Sequence, residues 1–300
     1  MPTFAPALVH VPVTPFTADA RIDFTCFARL LDFHLRNGAE ALALPMHAGE
    51  SVSLTDAEQR ALLEFAIKHV AGRVPIIAHV SDAGTAIAAA RARHAEAAGA
   101  AAVIATTPYY WTPPPAMILE HFARIGGAVA IPFLVHNAPE EMGGKLSADL
   151  MLQLVARLPN FAGLVDASLD WQFMIDLLME ARHARPGFLL IGGTELFVSA
   201  AAIGATAMLS PLAAIAPRHI RRLHELCRAG KLFEARPVQE EIAALRQLLK
   251  PAGAISLKAA LAARGRNCGA PRPPLEPLAA RDLAQALAAL PLMQDEPKGW

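Results

Sequence analysis

Eight short apolar runs, at residues 8–13, 41–45, 74–80, 101–106, 130–136, 161–165, 188–191 and 205–210, alternate with segments of helical periodicity. Strands that read as continuous apolar runs are buried on both faces, and each parallel pair needs a crossover long enough to be a helix. Eight such units in strict order predict an α/β fold closed into a (β/α)8 TIM barrel.

The chain has 300 residues, more than the roughly 250 of a typical barrel, and the surplus is helical. Residues 217–227, 233–249 and 256–264 carry helical spacing, residues 271–277 hold four prolines and exclude regular helix, and residues 279–290 are amphipathic. We therefore expect a barrel over residues 1–216 and a C-terminal helical extension over 217–300 packed on it, with disorder confined to 294–300. Helix ends are marked. Thr55 and Glu58 form a capping box ahead of Leu62, Leu63 and Ala66, with Gly72 as a stop. Ser147 opens the segment that carries Leu150 and Leu154, while Asn37-Gly38 and Gly99 close earlier helices.

Charge limits the partners. Lys plus Arg and Asp plus Glu both number 27, so no net field favours nucleic acid or an anionic membrane. Three distant cysteines, Cys26, Cys227 and Cys268, make neither a zinc motif nor a disulfide framework. Residues 1–14 show no cationic segment followed by an apolar run, so no secretion signal is expected, and Arg91, Arg93, His94 and Glu96 interrupt the Ala-rich run nearest to a membrane span. A cytoplasmic protein with reduced thiols is expected.

In a barrel of this kind the site lies at the C-terminal ends of the strands. The polar residues following the apolar runs are Thr14, His47, Glu50, His79, Asp82, Thr107, Tyr109, Tyr110, His136, Asn137, Asp166, Ser168, Thr194, Glu195 and Ser210.

Five of these strand ends also carry a resemblance, in order and spacing, between about residues 8 and 264. They read Val13-Thr14-Pro15-Phe16, Gly49-Glu50-Ser51, Ile77-Ala78-His79-Val80, Thr107-Pro108-Tyr109-Tyr110 and His136-Asn137-Ala138-Pro139. The set resembles the dihydrodipicolinate synthase and N-acetylneuraminate lyase family. The resemblance implies a small-molecule oxo or hydroxy acid as ligand, a homodimer or homotetramer, and a pocket shaped by Ala48, Glu50, Asn137, Val165, Asp166 and Leu209.

The departures from the family bear on chemistry. Its members form a Schiff base with pyruvate through a lysine ending the sixth strand in a Gly-x-Lys sequence, and the counterpart here is Gly163-Leu164-Val165. An isopropyl group has no lone pair with which to attack a carbonyl. Lys68, Lys145, Lys231, Lys250, Lys258 and Lys298 fall in helices, turns or the extension and read as solvated surface groups. The family's hydroxyl-bearing loop for the pyruvate carboxylate is Met46-His47-Ala48-Gly49-Glu50, and its proton-relaying tyrosine on the fifth strand is His136. Of the relay, Tyr110 is unchanged, a residue that in relatives enters the neighbouring subunit's site.

Four readings follow. The first is a lyase or hydro-lyase in which His136 and His47 exchange protons, with Tyr110 in support and no imine. The second is a ligand-binding or regulatory pseudoenzyme. The third is a metal-dependent enzyme using His47, His79 and His136, although no HxH or HxxxH spacing supports it. The fourth is a purely structural oligomer. The first two are preferred, so neither metal nor cofactor is expected.

Overall fold

A computed structural model describes residues 4–142, 144, 146–250, 253–276 and 280–300. Its strands are β1 (Leu8–His10), β2 (Ala41–Leu44), β3 (Ile76–His79), β4 (Ala102–Thr106), β5 (Phe133–Asn137), β6 (Phe161–Asp166), β7 (Leu189–Gly192) and β8 (Ala207–Ser210). Each pairs in parallel with the next, and β8 returns to β1 with Val9 opposite Leu209, which closes the barrel. The expected α/β (β/α)8 fold is the observed one.

The barrel helices are α1 (Phe24–Arg36), α2 (Asp56–Val70), α3 (Thr85–Ala98), α4 (Pro115–Gly126), the short α5 (Pro139–Met142), α6 (Ala148–Arg157), α7 (Trp171–Ala184) and α8 (Phe197–Ala202). The capping box at Thr55 and Glu58 is formed, Ser147 Oγ accepts from the Leu150 amide, and Gly99 caps α3 with φ of 100°. At the end of α2 the left-handed cap is Ala71, one residue before Gly72.

Five of the strands begin later than their apolar runs, β5 by the most, and its surroundings show why. The Ala130 and Ile131 amides donate to Glu96 Oε1, and Asn160 Nδ2 donates to the carbonyls of Gly126, Val129 and Ile131. Side chains thus satisfy this backbone in place of a ladder, and Pro132 has no N–H to offer one.

After β8 the chain is helical, with α9 (Pro217–Arg228), α10 (Leu232–Leu249), α11 (Gly253–Ala263) and α12 (Ala280–Ala289). Ala279, the expected start of the last helix, and Pro277 lie outside the described residues. Helix α10 packs on α8 and α9, and α11 packs on the short helical turn His47–Gly49 after β2. The extension therefore reaches over the C-terminal end of the barrel.

The expectation of disorder over residues 294–300 is corrected. Arg266, fully buried, donates to the carbonyls of Pro297, Gly299 and Ala214, and Arg264 donates to those of Glu296 and Pro297. Glu296 is buried and accepts from the amide and Nδ1 of His219, while Arg29 lies 4.4 Å from the Trp300 ring centroid. The tail supplies acceptors that two buried guanidinium groups require. No helix among the described residues is long and apolar enough to cross a membrane.

Candidate active site

The strands deliver their C-terminal residues to a cavity of about 420 Å³. His47 and Ala48 reach it from the loop after β2, His136 from the end of β5, and Leu209 from β8. Val11, Ala167, Gly193, Thr194 and Glu195 complete the barrel side, and Arg246, Leu249, Lys250, Ser256 and Leu257 close it from the extension. This volume suits a small organic molecule.

The imidazoles differ in their surroundings. His136 is buried, and burial pushes it down to about 4, with the nearby His47 adding to the shift. It is uncharged at neutral pH, so it can accept a proton or donate one hydrogen bond as a neutral ring. His47 is exposed to solvent within the cavity.

His79 does not line this cavity. Burial, with His136 second, pushes it down to about 3. Its Nε2 lies 2.8 Å from Ser81 Oγ, which also accepts from the Thr106 amide. Among the described residues no group of three His, Cys, Asp or Glu side chains could hold a metal ion. The set His47, His79 and His136 therefore does not form a metal-binding group.

Val165 is fully buried and registers with His136 on β5 and Ile191 on β7. A Cβ at Gly163 would run into the Leu189 carbonyl, so glycine is required for β6 to approach β7. Asn137 Nδ2 donates to Asp166 Oδ2 at 2.6 Å, and Asp166 Oδ1 accepts from the Ser168 amide and hydroxyl. Burial raises the Asp166 pKa against these bonds. Asn137, Val165 and Asp166 stand beside the cavity lining without belonging to it.

Glu50 is buried behind the His47 loop, in the left-handed region with φ of 56°. Its Oε1 lies 2.5 Å from Lys258 Nζ, and its Oε2 accepts from the Arg272 amide. The surface reading of Lys258 is therefore corrected. Its ammonium sits 4.0 Å from the Phe16 ring centroid and donates to the Ala270 carbonyl, and Glu50 opposes a desolvation that still lowers its pKa. Lys68, Lys231, Lys250 and Lys298 are exposed, and Lys145 lies outside the described residues.

Tyr110 is fully exposed, with φ of 88°, and does not line the cavity of its own chain. A left-handed tyrosine is uncommon and costs backbone energy. Trp111 and Met117, which follow it, are also exposed.

Strand-end reasoning did not reach Arg246 and Lys250. They lie on a helix beyond the barrel, and their spacing of four residues resembles that of any solvated helix face.

The profile of the Dihydrodipicolinate synthetase family matches residues 6–291. The chain belongs to that family. It is 34% identical over 272 residues to the 4-hydroxy-tetrahydrodipicolinate synthase of Azoarcus sp. (strain BH72), covering 89% of this chain and 91% of that one. To the enzyme of the same name from Dechloromonas aromatica (strain RCB) it is 33% identical, over 93% and 94% of the two chains. The crystal structure of dihydrodipicolinate synthase from Aquifex aeolicus superposes with a TM-score of 0.90 at 25% identity, over 96% of this chain and 99% of that one.

Proposed function

We propose that this family member acts on a small oxo or hydroxy acid without a pyruvate imine. The observation that carries this reading is Val165 at the end of β6 beside a cavity lined by His47 and His136. In the hydro-lyase direction, uncharged His136 accepts the proton from the carbon next to the carbonyl. The C–O bond one carbon further breaks as a carbon–carbon double bond forms, and the departing hydroxide takes a proton from the protonated form of His47 to leave as water. The proton gained by His136 then passes through cavity solvent to His47, which is open to it, and both rings regain their starting states. Ala48 and Leu209 shape the apolar part of the pocket. Glu50, Asn137 and Asp166 hold the surrounding loops, and Val165 fills the space of an amine.

The chain acts in the cytoplasm as a homodimer or homotetramer. Exposed Tyr110, Trp111 and Met117 suit a subunit contact from which Tyr110 reaches a neighbouring cavity. Sedimentation at micromolar concentration should give a species of at least two chains, and a monomer alone would refute the contact.

A second reading, a ligand-binding pseudoenzyme, is favoured by the burial that holds His136 near 4, because such a base is weak. Turnover of a panel of small oxo and hydroxy acids separates the two. In the catalytic reading His136→Phe abolishes turnover, whereas a pseudoenzyme binds without converting any acid.

The imine itself is tested by pyruvate with borohydride. Reduction traps an amine that has already attacked the keto carbon, so the mass of the protein should not change. A reduced pyruvate adduct on any lysine, Lys250 in the cavity included, would overturn the proposal.

A further inference from the structure

The positive charges that line the cavity come from outside the barrel. Among its described lining residues they are Arg246, in the last turn of α10, and Lys250, which caps that helix. Four residues apart, they share one helix face.

Arg246 is held in place by the barrel. Glu195, buried on the loop after β7, accepts from Ser210 Oγ at 2.6 Å through one oxygen and from Arg246 Nη1 at 3.2 Å through the other. This occupies both carboxylate oxygens and orients the guanidinium, while most of its donors remain available. Lys250 is exposed and forms no ion pair among the described residues.

The charges along the lining are arranged with a direction. Glu195 offsets Arg246, so Lys250 provides the net positive charge on this wall. Glu140, exposed and following β5, is the other acidic residue of the described lining and does not pair with α10. Val11, Leu209 and Leu212 form apolar surface in the same cavity. The imidazoles enter from β2 and β5, whereas α10 is tied to the loop after β7, so an anion held by α10 stands apart from the carbon the imidazoles reach.

We propose that Arg246 and Lys250 form an anion subsite for a carboxylate remote from the reacting carbon, which makes the ligand a small dicarboxylic oxo or hydroxy acid. The proposal rests on the function proposed above. One net positive charge matches a carboxylate better than a phosphate dianion, and the apolar surface accommodates the methylenes between the two ends of the ligand. Positioning of Arg246 by Glu195 and Ser210 supplies the preorganisation that such a subsite needs.

Calorimetric titration with 2-oxoglutarate and 2-oxopentanoate tests this, because the two differ by a distal carboxylate against a methyl group. The expected result is at least tenfold tighter binding of 2-oxoglutarate. Lys250→Ala, a change at an exposed side chain, should remove most of that preference and leave the affinity for 2-oxopentanoate unchanged. Lys250→Arg should keep the preference. Arg246→Gln should act in the same sense as Lys250→Ala, whereas an Arg246 that merely pins α10 to the barrel would weaken both ligands alike. Equal binding of the two acids, or a preference that survives Lys250→Ala combined with Arg246→Gln, overturns the subsite and leaves the oxo-acid reading standing. Binding of neither acid overturns both.

Discussion

At the scale of single residues, burial decides which charged groups support the fold and which face a ligand. Lys258 and Glu50 form an ion pair with side chains 2% and 1% exposed, between α11 and the loop that presents His47. Removing one partner of such a pair leaves an uncompensated buried charge. Lys258→Met should therefore lower unfolding stability by roughly 3–5 kcal/mol, read from the shift of a urea denaturation midpoint. The double variant Lys258→Met with Glu50→Leu should recover much of that loss. An unchanged midpoint in the single variant would show that Glu50 finds solvent. The same pair explains why a strand-end glutamate with the look of a site residue is absent from the cavity lining: both of its oxygens are already engaged.

At the scale of elements, polar contacts tie the helical extension to the barrel and tie its own segments to one another. Arg246, in the last turn of α10, bridges that helix to Glu195 after β7. At its end, Arg264 and Arg266 take the carbonyls of residues 296, 297 and 299, and Glu296 binds His219 on α9. Deleting residues 295–300 should thus lower the melting temperature by several degrees. Two buried guanidinium groups would lose acceptors, at a cost of about 1–3 kcal/mol for each unsatisfied group. A melting curve that matches the full-length chain would mean that the tail adds nothing to stability. The helices of this region were legible in the sequence through their apolar spacing. The docking of the tail was not, because Glu296, Pro297 and Gly299 contribute backbone carbonyls, which every residue has.

At the scale of the whole molecule, stability depends on histidines kept neutral. Burial is the leading cause that pushes His10 and His79 down to about 3 and His121 and His136 down to about 4. In the unfolded chain these rings titrate near 6.5, so below that pH the unfolded state binds more protons and unfolding is favoured. Stability is therefore full above about 6.5 and is lost progressively as pH falls through the folded values. His219 acts in the opposite sense. Glu296 raises its pKa, and its contribution is present below the unfolded value and fades as pH rises through the folded one. Glu58, held at about 2 by Arg272, adds a loss only in the carboxylate range. Melting temperature followed from pH 8 downward should begin to fall near 6.5, well above where carboxylates titrate. A curve flat to pH 5 would contradict the neutral-histidine account.

Much of this protein follows from local rules. Apolar runs of strand length alternating with helical periods leave a parallel sheet covered by helices as the arrangement that buries them, and eight of them close a barrel. The placement of site residues at strand ends is equally local, and His47 and His136 line the cavity as their positions require. So is the absence of an amine at residue 165, since a side chain's composition does not depend on the fold. Tertiary structure decided the rest. It turned Lys258 inward because Glu50, Phe16 and the Ala270 carbonyl converge there from segments distant in sequence. It brought Arg246 and Lys250 over the barrel mouth because α10 packs back on α8 and α9. Burial, charge pairing and carbonyl satisfaction depend on which segments meet, and that is settled only when the extension folds onto the barrel.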